Sequence, residues 1–333
     1  MKILWMSALI FLLSSKSFAE KYKTLFVERD YYQPWRTLAD TDEKRIKTLL
    51  EILIESKHGR KIVIAAKKKA FKEGKTLSDL IIPGPVSLLD TTLLRKFSRN
   101  RPDKVIYETK AVVYVNSKLK TIDAVLDLAH ELTHYIKRTP FNPYQVNFSL
   151  EKFIKSTVEG KGGEVDAYLS ECKVVFELFK SDSKRVANCK KVSLDGSRKL
   201  SRKLTKEKFY RLGNNYDSFK RNLSNYSIPS SNIPDISNKD AVFISSAYGQ
   251  PYPVAALEEY KTIMNKACEN DDKRLALLTK KADRAPASAG MSVQVVHKEM
   301  MSSFVDRCNI FYDIKHSTNC LLYTSDAADE VQC

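Results

Sequence analysis

His130, Glu131 and His134 form the pattern His-Glu-x-x-His. Residues four positions apart in an α-helix project from the same face, so the two imidazoles can bind one zinc ion. Zinc lowers the pKa of a bound water to about 7, and the glutamate between the histidines can take a proton from that water. The pattern therefore predicts Zn²⁺ as the cofactor, His130 and His134 as ligands and Glu131 as the general base.

The pattern is specific because the chain contains few histidines. The five are His58, His130, His134, His297 and His316. A chain this poor in histidine would show the pattern by chance on the order of a few times in a thousand. The alternative interpretation is a surface helix whose polar face carries these residues without binding a metal.

The elements around the pattern support a buried helix. Residues 121–137 predict that helix, with Thr121 as its N-cap and Pro140 beyond its end. Its expected apolar stripe consists of Ile122, Val125, Leu126, Ala129, Leu132 and Ile136. Residues 104–116 are rich in β-formers and predict a strand. We expect residues 111–116 to be an edge strand that aligns a substrate.

A catalytic zinc ion usually takes three protein ligands and a water. Position 140 is proline, which excludes a third histidine at the spacing His-Glu-x-x-His-x-x-Gly-x-x-His. We therefore expect an acid on a later helix, and Glu164 is the preferred residue because it follows a glycine turn at 160–163. Glu159 is the alternative, although the glycines beside it make a flexible platform for a ligand.

Residues 130–172 resemble the gluzincin class of zinc metallopeptidases. By this resemblance His130 and His134 are zinc ligands, Glu131 is the general base, and Glu164 is the third ligand in a Glu-x-x-Ala segment. Many gluzincins have an aspartate four residues after the third ligand, where this chain has Tyr168. We expect Asp127 or Asp166 to orient a histidine instead. For stabilising the oxyanion the candidates are Tyr248 and His297.

The fold class expected from these patterns is α+β and mostly helical, with a small sheet before the His-Glu-x-x-His helix. The resemblance implies that this fold is zincin-like. We expect an N-terminal helical region at 20–103 and a catalytic region at 104–319, with a loop or linker near 212–240. The other predicted helices span residues 42–55, 61–71, 86–97, 164–179, 190–211, 255–284 and 293–311.

The two ends of the chain have distinct sequences. Residues 1–19 have a basic start, an apolar run and small residues before Glu20, which predicts a cleaved signal peptide. Residues 320–333 are expected to be an artefact tail, because they read like one frame of a sequencing adaptor. No later segment is apolar enough to predict a membrane span. We therefore expect a secreted or periplasmic protein.

The chain is basic, with 56 Lys and Arg against 40 Asp and Glu and a net charge of +16. For an exported protein this charge favours contact with anionic cell-envelope surfaces, and no nucleic-acid motif accompanies it. Four of the six cysteines lie between the two ends, and an even number favours disulfides. Proximity favours Cys172 with Cys189 and Cys268 with Cys308, although sequence leaves three pairings open.

The function expected from these observations is that of a secreted zinc-dependent peptidase acting on a peptide or protein substrate. Two alternatives remain at this point. The first is a non-catalytic basic protein that binds anionic cell-envelope polymers. The second is a protein whose zinc is structural, so that removal of the metal would unfold it.

Overall fold

The computed structural model describes residues 31–308, apart from 146–147, 180–183, 227, 234 and 285–289. The predicted signal peptide at 1–19 and the predicted artefact tail at 320–333 lie outside these residues. The described chain is a mixed α+β fold that is mostly helical. Its elements up to the sheet are α1 (Asp42–Leu53), α2 (Lys57–Lys72), α3 (Leu77–Leu80), β1 (Ile81–Gly84), β2 (Leu88–Ser98) and β3 (Arg101–Asn116).

The elements after the sheet are helical in the described part of the chain. They are α4 (Thr121–Lys137), α5 (Leu150–Val158), α6 (Glu164–Leu178), α7 (Lys184–Lys190), α8 (Arg202–Phe209), α9 (Tyr216–Asn225), α10 (Tyr252–Arg284) and α11 (Gly290–Cys308). Disulfides join Cys172 to Cys189 and Cys268 to Cys308, as proximity in sequence favours. The first ties α6 to α7, and the second ties α10 to α11.

The three strands form one sheet in the order β1-β3-β2. Strand β3 pairs in parallel with β1 and antiparallel with β2, so Val113 lies opposite both Ile81 and Leu89. The prediction that residues 111–116 form an edge strand is therefore wrong, because β3 is the central strand: β1 pairs with residues 113–116, and β2 pairs with residues 111–114. The strands at the two edges of the sheet are β1 and β2.

The prediction of a short helix at residues 86–97 is also wrong, because most of this segment belongs to β2. Leu88 to Lys96 pair continuously with residues 106–114 of β3. A short apolar run fits a strand or a helix equally well, and here the long antiparallel partner decides. The predicted region boundary at 103–104 falls inside β3, so one hairpin joins the two predicted regions.

Helix α4 occupies the predicted residues and buries most of the predicted stripe. Ile122, Val125, Leu126, Ala129 and Leu132 are all buried. Its N-cap is Lys120, and the Thr121 hydroxyl donates to the Gln33 carbonyl oxygen at 3.0 Å instead of capping the helix. The capping prediction is therefore wrong, because Thr121 is the first residue of the helix, and both its backbone N–H and its hydroxyl donate to the Gln33 carbonyl oxygen.

The predicted linker near 212–240 contains helix α9, and its Phe219 and Leu223 are fully buried. This segment therefore belongs to a packed core rather than to a surface loop. Likewise, the single basic helix predicted at 190–211 is wrong, since α7 ends at Lys190 and α8 begins at Arg202.

Two hydrophobic cores meet at the central helices. The first packs α1, α2 and the sheet against α4 and α6, and the second packs α5, α8, α9, α10 and α11. Partly buried Tyr168 and Phe243 contact both cores. Among the described helices, none combines the length and the apolar character that crossing a bilayer requires.

Candidate metal site and its cavity

The structure brings His130, His134 and Glu164 together where α4 meets the first turn of α6. His130 Nε2 lies 3.2 Å from Glu164 Oε2, and His134 Nε2 lies 3.4 Å from Glu164 Oε1. One ligand atom from each of the three residues lies within 4.8 Å of the others. Glu159 lies outside this group, because its carboxylate pairs with Lys206 at 2.7 Å.

These separations fit one metal ion. Ligand atoms about 2.0–2.1 Å from a tetrahedral zinc ion lie about 3.3–3.4 Å from one another. The His130–Glu164 and His134–Glu164 distances of 3.2 and 3.4 Å are close to that value. Two imidazole nitrogens and one carboxylate oxygen form a donor set that could hold a metal ion.

The other ring nitrogen of each histidine contacts a group that can only accept a hydrogen bond. His130 Nδ1 lies 3.3 Å from Glu171 Oε2, and His134 Nδ1 lies 2.7 Å from the Gly162 carbonyl oxygen. Each Nδ1 can therefore donate its proton to this outer partner, and each Nε2 could then offer its lone pair to a metal ion that binds between the histidines and Glu164.

The sequence prediction assigned this orienting role to Asp127 or Asp166, and the structure gives both histidines other partners. Asp127 is hydrogen-bonded to Ser87. Asp166 instead accepts from the Gly162 backbone N–H at 3.0 Å, so it supports the turn that presents the Gly162 carbonyl. A sequence signal for Glu171 does exist, since it lies two helical turns after Glu164 on the same face of α6.

Gly162 is required at its position by the backbone. Its φ is +72°, and a Cβ there would lie 2.6 Å from the Arg138 backbone nitrogen. The same residue directs its carbonyl towards His134 and also accepts from Arg138 Nε at 3.2 Å. The glycine turn before α6 therefore lets two chain segments approach closely enough to build the site.

Burial and charge set the protonation of the site. Burial lowers the pKa of His134 to about 4, which keeps the imidazole in the neutral, ligating form. Burial would raise the pKa of Glu164, but the two histidines hold it well below its usual value. Burial raises the pKa of Glu131 to about 7, so this carboxyl can both accept and donate a proton near neutral pH.

The group opens into a cavity of about 660 Å³. This volume lies within the range of about 300–1,000 Å³ typical of ligand sites. His130, Glu131, His134 and Glu164 contribute to its lining, residues 86–93 form the wall on the side of β2, and one face of α10 forms another wall. The α10 residues in the lining are Tyr252, Ala255, Ala256, Glu259, Ile263, Lys266 and Ala267.

Tyr252 is a candidate that the sequence prediction missed. Burial, followed by the negative charges of Glu164 and Glu131, raises its pKa well above 10, so the hydroxyl stays protonated. Tyr248, one of the predicted oxyanion residues, lines the cavity and is 44% exposed. The other, His297, does not line the cavity and pairs through Nε2 with the Thr279 hydroxyl at 2.8 Å.

In comparisons with known proteins, no family model matches the chain, and no curated protein or solved structure matches it. The resemblance to gluzincins therefore rests on the residues of the motif and on the geometry of the His-His-Glu group. What the described structure itself establishes is an α+β fold with a group of side chains that could hold a metal ion.

Proposed function

We propose that this protein is a secreted, zinc-dependent peptidase of the gluzincin type with a zincin-like fold. The observation that carries the proposal is the convergence of His130, His134 and Glu164 beside Glu131, at the wall of a cavity large enough for a peptide segment. A metal site buried away from any cavity would favour a structural role, whereas catalytic zinc sites keep one position open.

Each residue of the site has its own role in peptide hydrolysis. His130, His134 and Glu164 would hold the metal. A bound zinc ion would acidify a water molecule and polarise the scissile carbonyl group. Glu131 accepts the proton of the attacking water and then donates it to the leaving amide nitrogen. A pKa of about 7 suits both steps, because the group changes protonation state readily at neutral pH.

Strand β2 is suited to align the substrate. One of its sides pairs with β3, and no described strand pairs with the other. Its first residues, from Leu88 to Leu93, line the cavity. An extended peptide can add to such an edge through main-chain hydrogen bonds. In this proposal β2 aligns the substrate, a role that the sequence prediction gave to residues 111–116.

Tyr252 is suited to stabilise the developing oxyanion. Its hydroxyl keeps its proton, since its pKa lies well above 10. A hydroxyl that faces the reacting carbonyl can donate a hydrogen bond as negative charge forms on the oxygen. Tyr248 is more exposed than Tyr252 and is the weaker candidate.

Two observations support export. Disulfides are typical of oxidising compartments, and the described chain has two of them. The sequence of residues 1–19 has the composition of a signal peptide. Binding to anionic envelope surfaces stays a prediction from charge alone.

The decisive experiment is the substitution Glu131→Gln. The purified protein should contain about one zinc per chain by atomic emission, and the variant should keep that zinc. Its rate of cleavage of unfolded casein should fall by about 10²- to 10⁴-fold, the usual contribution of a general base. Glu151→Gln, which removes a half-buried i,i+4 ion pair on α5, is the matched control. Full activity in Glu131→Gln would refute the mechanism.

Removal of the metal separates the remaining alternatives. We expect a chelator to abolish cleavage while the far-ultraviolet circular dichroism spectrum stays unchanged, because two cores and two disulfides hold the fold. A structural zinc would instead give unfolding on chelation. A non-catalytic basic protein would show salt-sensitive binding to anionic polymers that His130→Ala leaves intact.

A further inference from the structure

Glu259 is a cavity residue that the proposed chemistry does not use. It lies on the face of α10 that lines the cavity, and its side chain is partly buried. Among the described residues, none forms a hydrogen bond or ion pair with its carboxylate. Burial raises its pKa, partly opposed by the positive charge of Arg138. A carboxylate in such a position is stabilised by any cation that enters the cavity.

Arg138, whose positive charge acts on the pKa of Glu259, is engaged elsewhere. Arg138 donates through Nε to the Gly162 carbonyl oxygen and through Nη2 to Glu164 Oε1, both at 3.2 Å. It therefore supports the group of His130, His134 and Glu164 rather than Glu259. Glu259 therefore lines space that a substrate would fill, without a described partner for its carboxylate.

The position of Glu259 on α10 gives its distance from Tyr252, the residue proposed to stabilise the oxyanion. Glu259 follows Tyr252 by seven residues, which is about 10 Å along the helix axis. An extended peptide advances about 3.3 Å per residue, so this distance corresponds to about three residues of bound substrate. The long side chains of lysine and arginine can also reach back along the peptide. A basic group within about three residues of the scissile bond would therefore meet Glu259.

We propose that Glu259 binds a cationic group of the substrate, an ammonium or a guanidinium, and so gives the enzyme a preference for basic peptides. This inference rests on the proposed peptidase function. A charge-assisted hydrogen bond of this kind is strong enough to change relative cleavage rates by about tenfold or more. The cationic group has two possible sources, a lysine or arginine side chain and the free amino terminus of the peptide.

The first experiment measures cleavage preference in a library of peptides made from a bacterial proteome by a glutamate-specific protease. Cleavage sites are read by mass spectrometry for the wild type, Glu259→Gln and Glu258→Gln. Glu258 is the matched control, because it is the neighbouring residue, pairs with Lys261 at 2.9 Å and does not line the cavity.

For the wild type we expect sites with lysine or arginine at one fixed position to be enriched over neutral sites. That ratio should fall about tenfold or more in Glu259→Gln and stay unchanged in Glu258→Gln. Acetylation of all amines in the library distinguishes the sources. Arginine sites survive acetylation if a side chain is bound. If Glu259 binds the free amino terminus instead, cleavage concentrates at a fixed distance from the start of each peptide, and acetylation abolishes that pattern. Absence of both preferences in the wild type, or a preference that Glu259→Gln leaves unchanged, would overturn the proposal.

The second experiment does not depend on catalysis. The zinc-loaded Glu131→Gln protein is titrated with acetyl-arginine amide and with its neutral analogue acetyl-citrulline amide, and binding is followed by nuclear magnetic resonance. We expect the arginine compound to bind about tenfold more tightly, and the added substitution Glu259→Gln to remove the difference. Equal binding of the two compounds to the parent protein would contradict binding of a guanidinium side chain by Glu259, because both compounds lack a free amino terminus.

The two experiments separate the two proposals. Discrimination of arginine from citrulline without any cleavage of the library would refute the peptidase and retain the cation site. Cleavage of the library without any preference for a cationic group would retain the peptidase and refute the cation site. Thermal melting of each variant shows whether it is folded, and Glu259→Asp should restore part of the preference, since it restores the negative charge.

Discussion

Two largely buried polar clusters of this fold differ in what their atoms face. The first is the metal group of His130, His134 and Glu164. The second, here called the arginine cluster, consists of Arg95 on β2, Asn270 and Asp271 on α10, and Arg307 on α11. Both arginines donate to the Asp271 carboxylate, and Arg95 Nε donates to Asn270 Oδ1 at 2.8 Å. Asp271 is only 1% exposed.

In the arginine cluster the charges are paired with one another. The Tyr144 ring covers Arg95, whose Cζ lies 3.6 Å from the ring centroid, and this excludes water from the pair. In the metal group the outer nitrogens are bonded while both Nε2 atoms converge on one position beside the cavity. Burial of polar groups therefore does not by itself indicate function. The convergence of ligand atoms next to open space does.

The largest effect on stability is expected from Asp271→Asn. This change leaves Arg95 and Arg307 buried without a compensating charge, and breaking a buried pair in this way costs about 3–5 kcal/mol. The free energy of unfolding, measured by urea denaturation at neutral pH, should fall by that amount. The zinc content of the folded variant should stay at the wild-type value, because the arginine cluster provides no ligand.

The matched control for Asp271→Asn is Glu269→Gln on the same helix. Glu269 pairs with Lys273 at 3.2 Å with more than half of each side chain exposed. An exposed ion pair contributes about 0–1 kcal/mol, so this variant should be close to the wild type. Similar losses in both variants would mean that the arginine cluster is not the stabilising feature of this interface.

A smaller effect, confined to the metal group, is expected from Glu171→Gln. This substitution weakens the acceptor for His130 Nδ1, and the loss of such an outer partner costs about 10- to 100-fold in metal affinity. Competition with a chromogenic chelator measures the zinc affinity. Glu151→Gln again serves as the control. An unchanged affinity in Glu171→Gln would show that Glu171 does not orient the histidine.

The smallest effect concerns His58, a partly buried histidine outside both clusters. Burial, and next the positive charge of Lys173, lowers its pKa to about 4, and its Nε2 has no hydrogen-bond partner among the described residues. Because the folded pKa lies below the unfolded value of about 6.5, its contribution to stability is complete above pH 6.5. That contribution is lost as the pH falls from about 6.5 to 4.

We expect the pH dependence contributed by His58 to amount to about 1–2 kcal/mol over that interval, after allowance for its partial exposure. The free energy of unfolding of the wild type and of His58→Gln should be compared at pH 7 and pH 4.5. The wild type should lose more stability than the variant. Parallel losses would show that His58 is protonated equally easily in the folded and unfolded states.

Much of the helical framework could be predicted because amphipathic periodicity is a local property. Helix α4 spans the predicted residues, and α10 begins within three residues of its predicted start. Residues 86–97 and the segment near 212–240 were predicted wrongly. The first is a strand because β3 offers a long antiparallel partner, and the second packs because Phe219 and Leu223 complete a core made by other helices.

The sequence by itself determined the chemistry of α4. The spacing of His130, Glu131 and His134 fixes which side chains share a face, because the hydrogen bonds within one helix set that geometry. It also indicated an acid after a glycine turn. The positions of these groups relative to residues far along the chain could not be obtained in this way.

Only the tertiary structure decided which groups complete the site. It placed Glu164 against both histidines, Gly162 and Glu171 behind them, and Tyr252 and Glu259 across the cavity. These contacts join helices separated by many residues. They depend on how the apolar faces of α4, α6 and α10 pack against one another, and helix packing is a property of the whole fold that no local pattern encodes.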